Sequence, residues 1–351
     1  MKIAWDLPDI GFDEIQAASE SLSKGIGAKG RTVVELEEIF KDKLGCKDAI
    51  LVNNGTSALL ASHLAMRNKY PEIETIGIPS FTFIASLFSS SLVFNQFKLL
   101  DCNLDDWNIG VNTVNPEVDL TLLVDVGGVP CDYDEFKKAE NLIFADSAES
   151  LGSLYKGKIV GSQLPIHTFS FQRSKIITCG EGGLIAVNDD EMSDYLRAVI
   201  NHGYSSRKKD YEYVHDQFGL NFRMCDVEAA ILRVQLSKLD TYLSNREAVA
   251  EYYRKNLNPN FIIQQTPAHA KTNNFFFGIL VEADIREKFV VYLLEKGISV
   301  KCWSAIHEQK NMPSAELPNA SIISSRNVLL PIHNRLTFEE TEYIVNACNS
   351  F

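Results

Sequence analysis

From about residue 32 the chain alternates short apolar runs with amphipathic ones, and this rhythm constrains the fold more than any other feature. TVVELEEIFKDKL (32–44) sets Val33, Leu36, Phe40 and Leu44 at helical spacing, a stripe that one helix face can bury. AILVNN (49–54) is a short strand pattern broken at Gly55. TSALLASHLAM follows it and opens on hydroxyl residues, as helices do. TIGIP (75–79) predicts a second strand, followed by a helix from about Thr82 to Val93. Strand patterns recur near 97–101, 120–125 and 142–145, each apolar and each closed by an Asp or a turn. Alternation of this kind predicts an α/β fold, a mostly parallel central sheet with helices on both faces. Ligands of such sheets bind beyond the carboxyl ends of the strands, so chemistry is to be sought there.

The amphipathic stretch from Asp226 to Leu257 predicts one or two helices between a large domain, residues 1–240, and a smaller C-terminal one, 241–351. The N-terminal segment can pack on the smaller domain. That domain reads as α+β: a strand at FFFGILV (275–281), a helix at 284–297 closed by Gly297, a strand at ISVKCW (298–303) and a final helix at 338–348. A chain of 351 residues can bury two such cores.

A formal net charge of −12 argues against a general basic surface for nucleic acid, while leaving room for a local positive pocket. The opening MKIAWDLPDIGFDEI has no basic segment leading into an apolar run, so no signal peptide is expected. No stretch approaches the roughly 20 apolar residues of a membrane span, and SLFSSSLVF (86–94) reads as a buried helix. The 7 cysteines form no CxxC pair and read as reduced thiols of a cytoplasmic protein, Cys179 among them as a structural one. No His/Cys/Asp cluster has metal-ligand spacing, so no metal is expected.

Three segments carry candidate chemistry. Asn54-Gly55-Thr56-Ser57 joins a strand to a helix, where free amides and hydroxyls make either a phosphate site or an ordinary N-cap. Asp146 in LIFADSAES follows an apolar strand and is either functional or a helix cap. Lys175 in FSFQRSKIITCGEGGLIAV is flanked by apolar and hydroxyl residues and precedes Gly180-Glu181-Gly182-Gly183. It reads as a desolvated amine suited to Schiff-base chemistry or as a surface lysine in a loop.

Together these residues form a set: an Asp 29 positions before a Lys (175 − 146), a Ser five before it (175 − 170), and a Gly-Thr-Ser turn far upstream. The set resembles the DegT/StrS-type nucleotide-sugar aminotransferases, pyridoxal-phosphate enzymes of fold type I. The resemblance extends along nearly the whole chain. It runs through Gly25 and Gly30 with VELEEIF, PSFTFIAS (79–86), DSAESLGSLYKGKIVG (146–161), SFQRSKIITCGEGG, NHG (201–203), GLNFRM (219–224), EAAILRVQLSKLD (228–240), GISVKCW and LLPIHNRLTFEE.

The resemblance implies a role for each matching residue. Lys175 would be the covalent anchor of the cofactor aldehyde and the proton carrier, and Asp146 would hold the pyridine nitrogen protonated. Phe83 would stack on the ring, with core packing as its alternative. Thr56, Ser57 and Ser170 would hold the cofactor phosphate, and Asn221 would reach the same phosphate from the other subunit of a homodimer. Glu149 stands where the family often has Gln or His, near the ring oxygen. Arg223 is a candidate for the nucleotide phosphates or for a structural ion pair, and His307 for the sugar. His202 and His333 read as turn residues.

The implied reaction takes an amino group, with glutamate as donor, to a nucleotide-linked keto sugar. The spelling Lys175-Ile176-Ile177-Thr178 with Gly-Glu-Gly-Gly resembles members that aminate C4 of a 4-keto-6-deoxy hexose, a 3-keto sugar being the alternative. Related dehydratases carry His in place of the lysine, so Lys175 argues against that activity. A non-catalytic sugar-nucleotide-binding regulator would tolerate loss of Lys175 or Asp146, and both are present.

Overall fold

Six strands of the central sheet run one way and one runs against them. The computed structural model describes residues 1–25, 27, 30–114, 116–209 and 212–351, the side chains of 205–209 and 212 excepted. The sheet comprises β1 (Asp48–Val52), β2 (Thr75–Pro79), β3 (Gln96–Leu100), β4 (Leu120–Val124), β5 (Leu142–Asp146), β6 (Ile166–Ser170) and β7 (Gly183–Val187). Their spatial order is β1-β7-β6-β5-β4-β2-β3. The pairs β2–β3, β2–β4, β4–β5 and β5–β6 are parallel, and β7 is antiparallel to both β1 and β6.

The mostly parallel sheet follows from the alternation in the sequence. Strands covered by helices on both faces can be apolar throughout, and β2, β4, β6 and β7 are buried along their whole length. Helix Gly55–Lys69 packs on β6 and β7. Its first turn is fixed by Asn54, whose side chain accepts from Ser57 N at 2.8 Å. Such a cap stabilises a helix by about 1 kcal/mol.

A second core gathers Ala250, Tyr253, Phe277, Ile279, Phe289, Val328 and Ile344 around a small sheet of Ile262–Ile263, Phe277–Leu280 and Asn327–Leu330. Ile3 belongs to this core, bridging to Ile298 in parallel. The stretch from Asp226 resolves into two helices, Asp226–Ser237 and Leu239–Asn256, separated at Lys238.

Two expectations need correction. The helix foreseen from Thr82 to Val93 spans only Ala85–Ser91. Thr82 is held outside it, its hydroxyl 3.2 Å from Ser86 Oγ. ISVKCW forms no strand, only isolated bridges at Ile298 and Lys301. The side chain of Asn327 takes both the N–H (2.8 Å) and the C=O (2.7 Å) of Trp303, replacing the ladder partners a strand would need. Among the described residues no helix is long and apolar enough to cross a membrane.

Candidate active site

At the carboxyl ends of β1, β5 and β6 the chain encloses a cavity of about 790 Å³. Thr56 and Ser57 reach it from the start of helix Gly55–Lys69, Asp146 from the end of β5, and Ser170 from the end of β6. Lys175 arrives from the loop after β6, shaped by a turn in which Lys175 N donates to Gln172 O at 2.8 Å. Gly55 lies flat against Ser170: a Cβ at Gly55 would sit 2.8 Å from Ser170 Cβ. Glycine therefore lets the helix N-terminus and the Ser170 hydroxyl share one wall. The N–H groups of the first turn have no partner within the helix, Asn54 satisfies only that of Ser57, and the helix dipole adds partial positive charge. This wall suits a phosphate group.

The opposite chemistry lies deeper. Asp146 is 6% exposed. Its Oδ2 accepts from Ser86 Oγ at 2.9 Å and its Oδ1 from Ala148 N at 3.1 Å. Burial pushes its carboxyl above the usual range, and the bonds from Ser86 and Ala148, with the charge of Lys175, work against that rise. Glu149 is also buried, with Oε2 accepting from Gly127 N at 2.9 Å and Oε1 3.5 Å from Lys175 Nζ. Burial raises this carboxyl too, opposed first by Lys175. Gly127 adopts φ +70°, and a Cβ there would come within 2.7 Å of Gln264 and Phe276, so the loop that donates to Glu149 needs glycine. Lys175 Nζ also stands 4.4 Å from the centroid of the Phe275 ring, a cation–π contact.

A flat heterocycle carrying an aldehyde and a phosphate, which is what pyridoxal phosphate is, fits these residues. The helix N-terminus with Thr56, Ser57 and Ser170 would hold its phosphate, Asp146 its ring nitrogen and Lys175 its aldehyde. Phe83 lines the cavity with 66% of its surface exposed, an apolar face open to a ring rather than a core residue. Among the described residues no group of His, Cys, Asp or Glu could hold a metal ion.

The structure thus brings Thr56, Ser57, Phe83, Asp146, Glu149, Ser170 and Lys175 to one cavity. Asn221 and Arg223 do not line it. Asn221 is exposed and bridges to Asn201, and Arg223 Nη1 donates to Asn201 Oδ1. His307 is also held elsewhere. Its Nδ1 lies 2.7 Å from Ser80 Oγ and its Nε2 2.9 Å from Ser321 Oγ, so both ring nitrogens are engaged by serines.

Sequence reasoning missed Ser86, Trp5, Phe275, Lys301 and Trp303 at the site. Ser86 lay inside a segment already singled out, where a serine beside an aromatic run was a readable signal. Lys301 and Trp303 lie in GISVKCW, a segment already singled out but read as a strand, and Trp5 and Phe275 come from distant parts of the chain.

Comparison with known proteins gives the family and the fold. The model of the DegT/DnrJ/EryC1/StrS aminotransferase family matches residues 8–349. The chain is 29% identical to GDP-perosamine synthase of Escherichia coli O157:H7, over 98% of this chain and 97% of that one. It is 27% identical to UDP-4-amino-4,6-dideoxy-N-acetyl-beta-L-altrosamine transaminase of Campylobacter jejuni, over 97% and 95%. The fold matches Helicobacter pylori PseC, an aminotransferase involved in the biosynthesis of pseudoaminic acid, with a TM-score of 0.92, 24% identity, and 99% and 98% of the two chains covered.

Proposed function

Because the chain belongs to the DegT/DnrJ/EryC1/StrS aminotransferase family, we propose that it uses pyridoxal phosphate to move an amino group from glutamate to C4 of a 4-keto-6-deoxy hexose on a nucleoside diphosphate. The observation that carries this reading is the convergence of Lys175, Asp146 and a helix N-terminus on one cavity of about 790 Å³. That volume lies within the usual range for small-molecule sites, roughly 300–1,000 Å³. Support for the sugar comes from relatives named for nucleotide-linked sugars, one of them for a 4-amino-4,6-dideoxy sugar. The Lys-Ile-Ile-Thr and Gly-Glu-Gly-Gly spelling of the lysine segment supports C4 in the same way.

The cofactor, when bound, supplies an aldehyde for the amino group and a ring that withdraws electrons from the reacting carbon. The residues do the rest. Lys175 Nζ would hold the cofactor aldehyde and, as a free amine, would move a proton at the reacting carbon of the substrate. Asp146 accepts the ring N–H and keeps that proton in place. Glu149, 3.5 Å from Lys175 Nζ, holds the amine on the side where it must act. Phe83 covers one face of the ring and excludes water from it. Ser170, Thr56, Ser57 and the free helix amides would hold the phosphate and so orient the group against Lys175.

The protein would act as a homodimer in which the exposed Asn221 completes the partner's phosphate site. Mixed dimers of Lys175→Ala and Asn221→Ala chains should then regain activity that neither parent has, and no recovery after verified subunit exchange would count against sharing. The substrate assignment is tested by supplying glutamate with a 4-keto or a 3-keto nucleotide sugar and locating nitrogen in the product by NMR. Nitrogen at C4 is expected. Amination of the 3-keto sugar alone would refute C4, and amination of neither would refute the nucleotide-sugar reading.

A further inference from the structure

Helix Ala85–Ser91 carries four serines, and one of them reaches a carboxylate of the cavity. Ser89 and Ser91 turn the hydroxyl back to a carbonyl of the preceding turn, Ala85 at 2.7 Å and Phe88 at 2.9 Å. This is the ordinary local bond of a helical serine. Ser90 Oγ lies 2.9 Å from His63 Nε2, which can only accept because Nδ1 donates to Leu59 O. Ser86 sends its proton out of the helix to Asp146 Oδ2, 60 residues away in sequence, at 2.9 Å. Ser86 is fully buried, so water offers this hydroxyl no substitute.

A hydroxyl has a single proton. With that proton on Asp146, the contact of 3.2 Å between Ser86 Oγ and Thr82 Oγ1 must run from Thr82 as donor to Ser86 as acceptor. The result is an ordered chain from Thr82 to Ser86 to Asp146. Thr82 lines the cavity beside Phe83, so the chain ties the segment that covers one face of the ring to the carboxylate at its edge. Ala148 N occupies the other carboxylate oxygen, which fixes the plane of the group.

We infer that Ser86 is the positioning residue of the cofactor site, fixing the Asp146 carboxylate as an acceptor for the ring nitrogen, with Thr82 setting the direction of the Ser86 proton. This rests on the assignment of Asp146 to the ring nitrogen given above. A charge-assisted bond in a buried site is stronger than a neutral one, and its loss leaves the carboxylate freer to rotate and to take the proton itself.

The test uses holoenzyme loaded with cofactor labelled with ¹⁵N in the ring, whose NMR shift reads protonation directly. Ser86→Ala should move that shift towards the unprotonated value, weaken cofactor binding about tenfold, and lower kcat with little change in KM for glutamate. Ser86→Thr keeps the hydroxyl and should restore the shift. Thr82→Val should move it in the same direction by less, and this variant decides the matter should Ser86→Ala fold poorly. A wild-type shift in Ser86→Ala, or in Thr82→Val where that variant decides, overturns the proposal, as does a threonine variant no better than alanine. Asp146→Asn separates the two layers. If it leaves the shift unchanged, the assignment of Asp146 falls and the role of Ser86 with it; if it moves the shift and Ser86→Ala does not, only the role of Ser86 falls.

Discussion

Asp125 and Asp146 stand side by side at the ends of adjacent parallel strands, both buried, and the structure uses them in opposite ways. Val124 pairs with Asp146 across β4 and β5, and Asp125 N donates to Asp146 O at 3.2 Å. Asp125 is surrounded by donors. Tyr133 Oη reaches both of its oxygens, Ser147 Oγ and Ser150 Oγ donate at 2.8 and 2.6 Å, and Cys131 N at 3.1 Å. A carboxylate offers about four lone-pair positions, and these are filled. Because the Ser147 proton goes to Asp125, the contact of 2.9 Å between Ser147 and His167 must have Nδ1–H as donor, leaving Nε2 to accept from Leu164 N. Asp125 thus anchors the turn that follows Asp146 and carries Glu149. Among the described residues Asp146 receives only two donors, and it lines the cavity, so it keeps acceptor capacity for a ligand. Position at a strand end and burial do not separate the two carboxylates; unfilled acceptor capacity facing a cavity does.

The comparison can be broken in steps. The largest effect belongs to the amine on the open side of the site. Lys175→Ala should lower turnover at least about 10³-fold, near the upper end of what proton transfer by a side chain supplies, while the circular dichroism spectrum stays that of the folded protein. Turnover near the parent rate would remove Lys175 from the chemistry.

Asp146→Asn should come next, with kcat at saturating cofactor falling by about 10²–10³-fold, the usual loss of an electrostatic partner in a site. Its urea midpoint should barely move. A variant with weak cofactor binding but an unchanged saturated rate would mean that Asp146 only binds.

Asp125→Asn should show the reverse pattern: a loss of about 2–4 kcal/mol in chemical denaturation, since several buried donors lose a charged acceptor, with the absorption spectrum of bound cofactor preserved. The effect has a pH signature as well. Burial pushes the Asp125 carboxyl up, against the bonds from Ser150, Cys131 N, Tyr133 and Ser147. A carboxyl raised in the folded state contributes stability that is complete below its unfolded value and is lost as pH rises through the folded one. The stability gap between wild type and Asp125→Asn should therefore widen as pH is lowered from neutrality towards the carboxylate range. A gap that narrows would show that the donors outweigh burial.

The same two residues show what sequence could reveal. The strands were legible because a sheet covered on both faces needs apolar runs, and β1 to β5 fall where those runs lie. Asp125 and Asp146 close such runs alike, and nothing local separates them. Their difference is made by Tyr133, Ser147 and Ser150 around one and Ser86 and open space around the other, contacts that only the fold assembles. Resemblance to a family picked out Asp146, Lys175 and Ser170, all of which line the cavity. It misplaced His307, whose two ring nitrogens are taken by Ser80 and Ser321, because spacing along a loop does not say which way a side chain turns.

Lys175, beside Glu149, is the amine proposed to capture the cofactor aldehyde. Protein incubated with pyridoxal phosphate, reduced with borohydride, digested and examined by mass spectrometry gives the direct answer. The account predicts one stable cofactor adduct, on the peptide containing Lys175, whose formation is prevented by prior treatment with glutamate. An adduct spread over surface lysines, or none on Lys175, would contradict it.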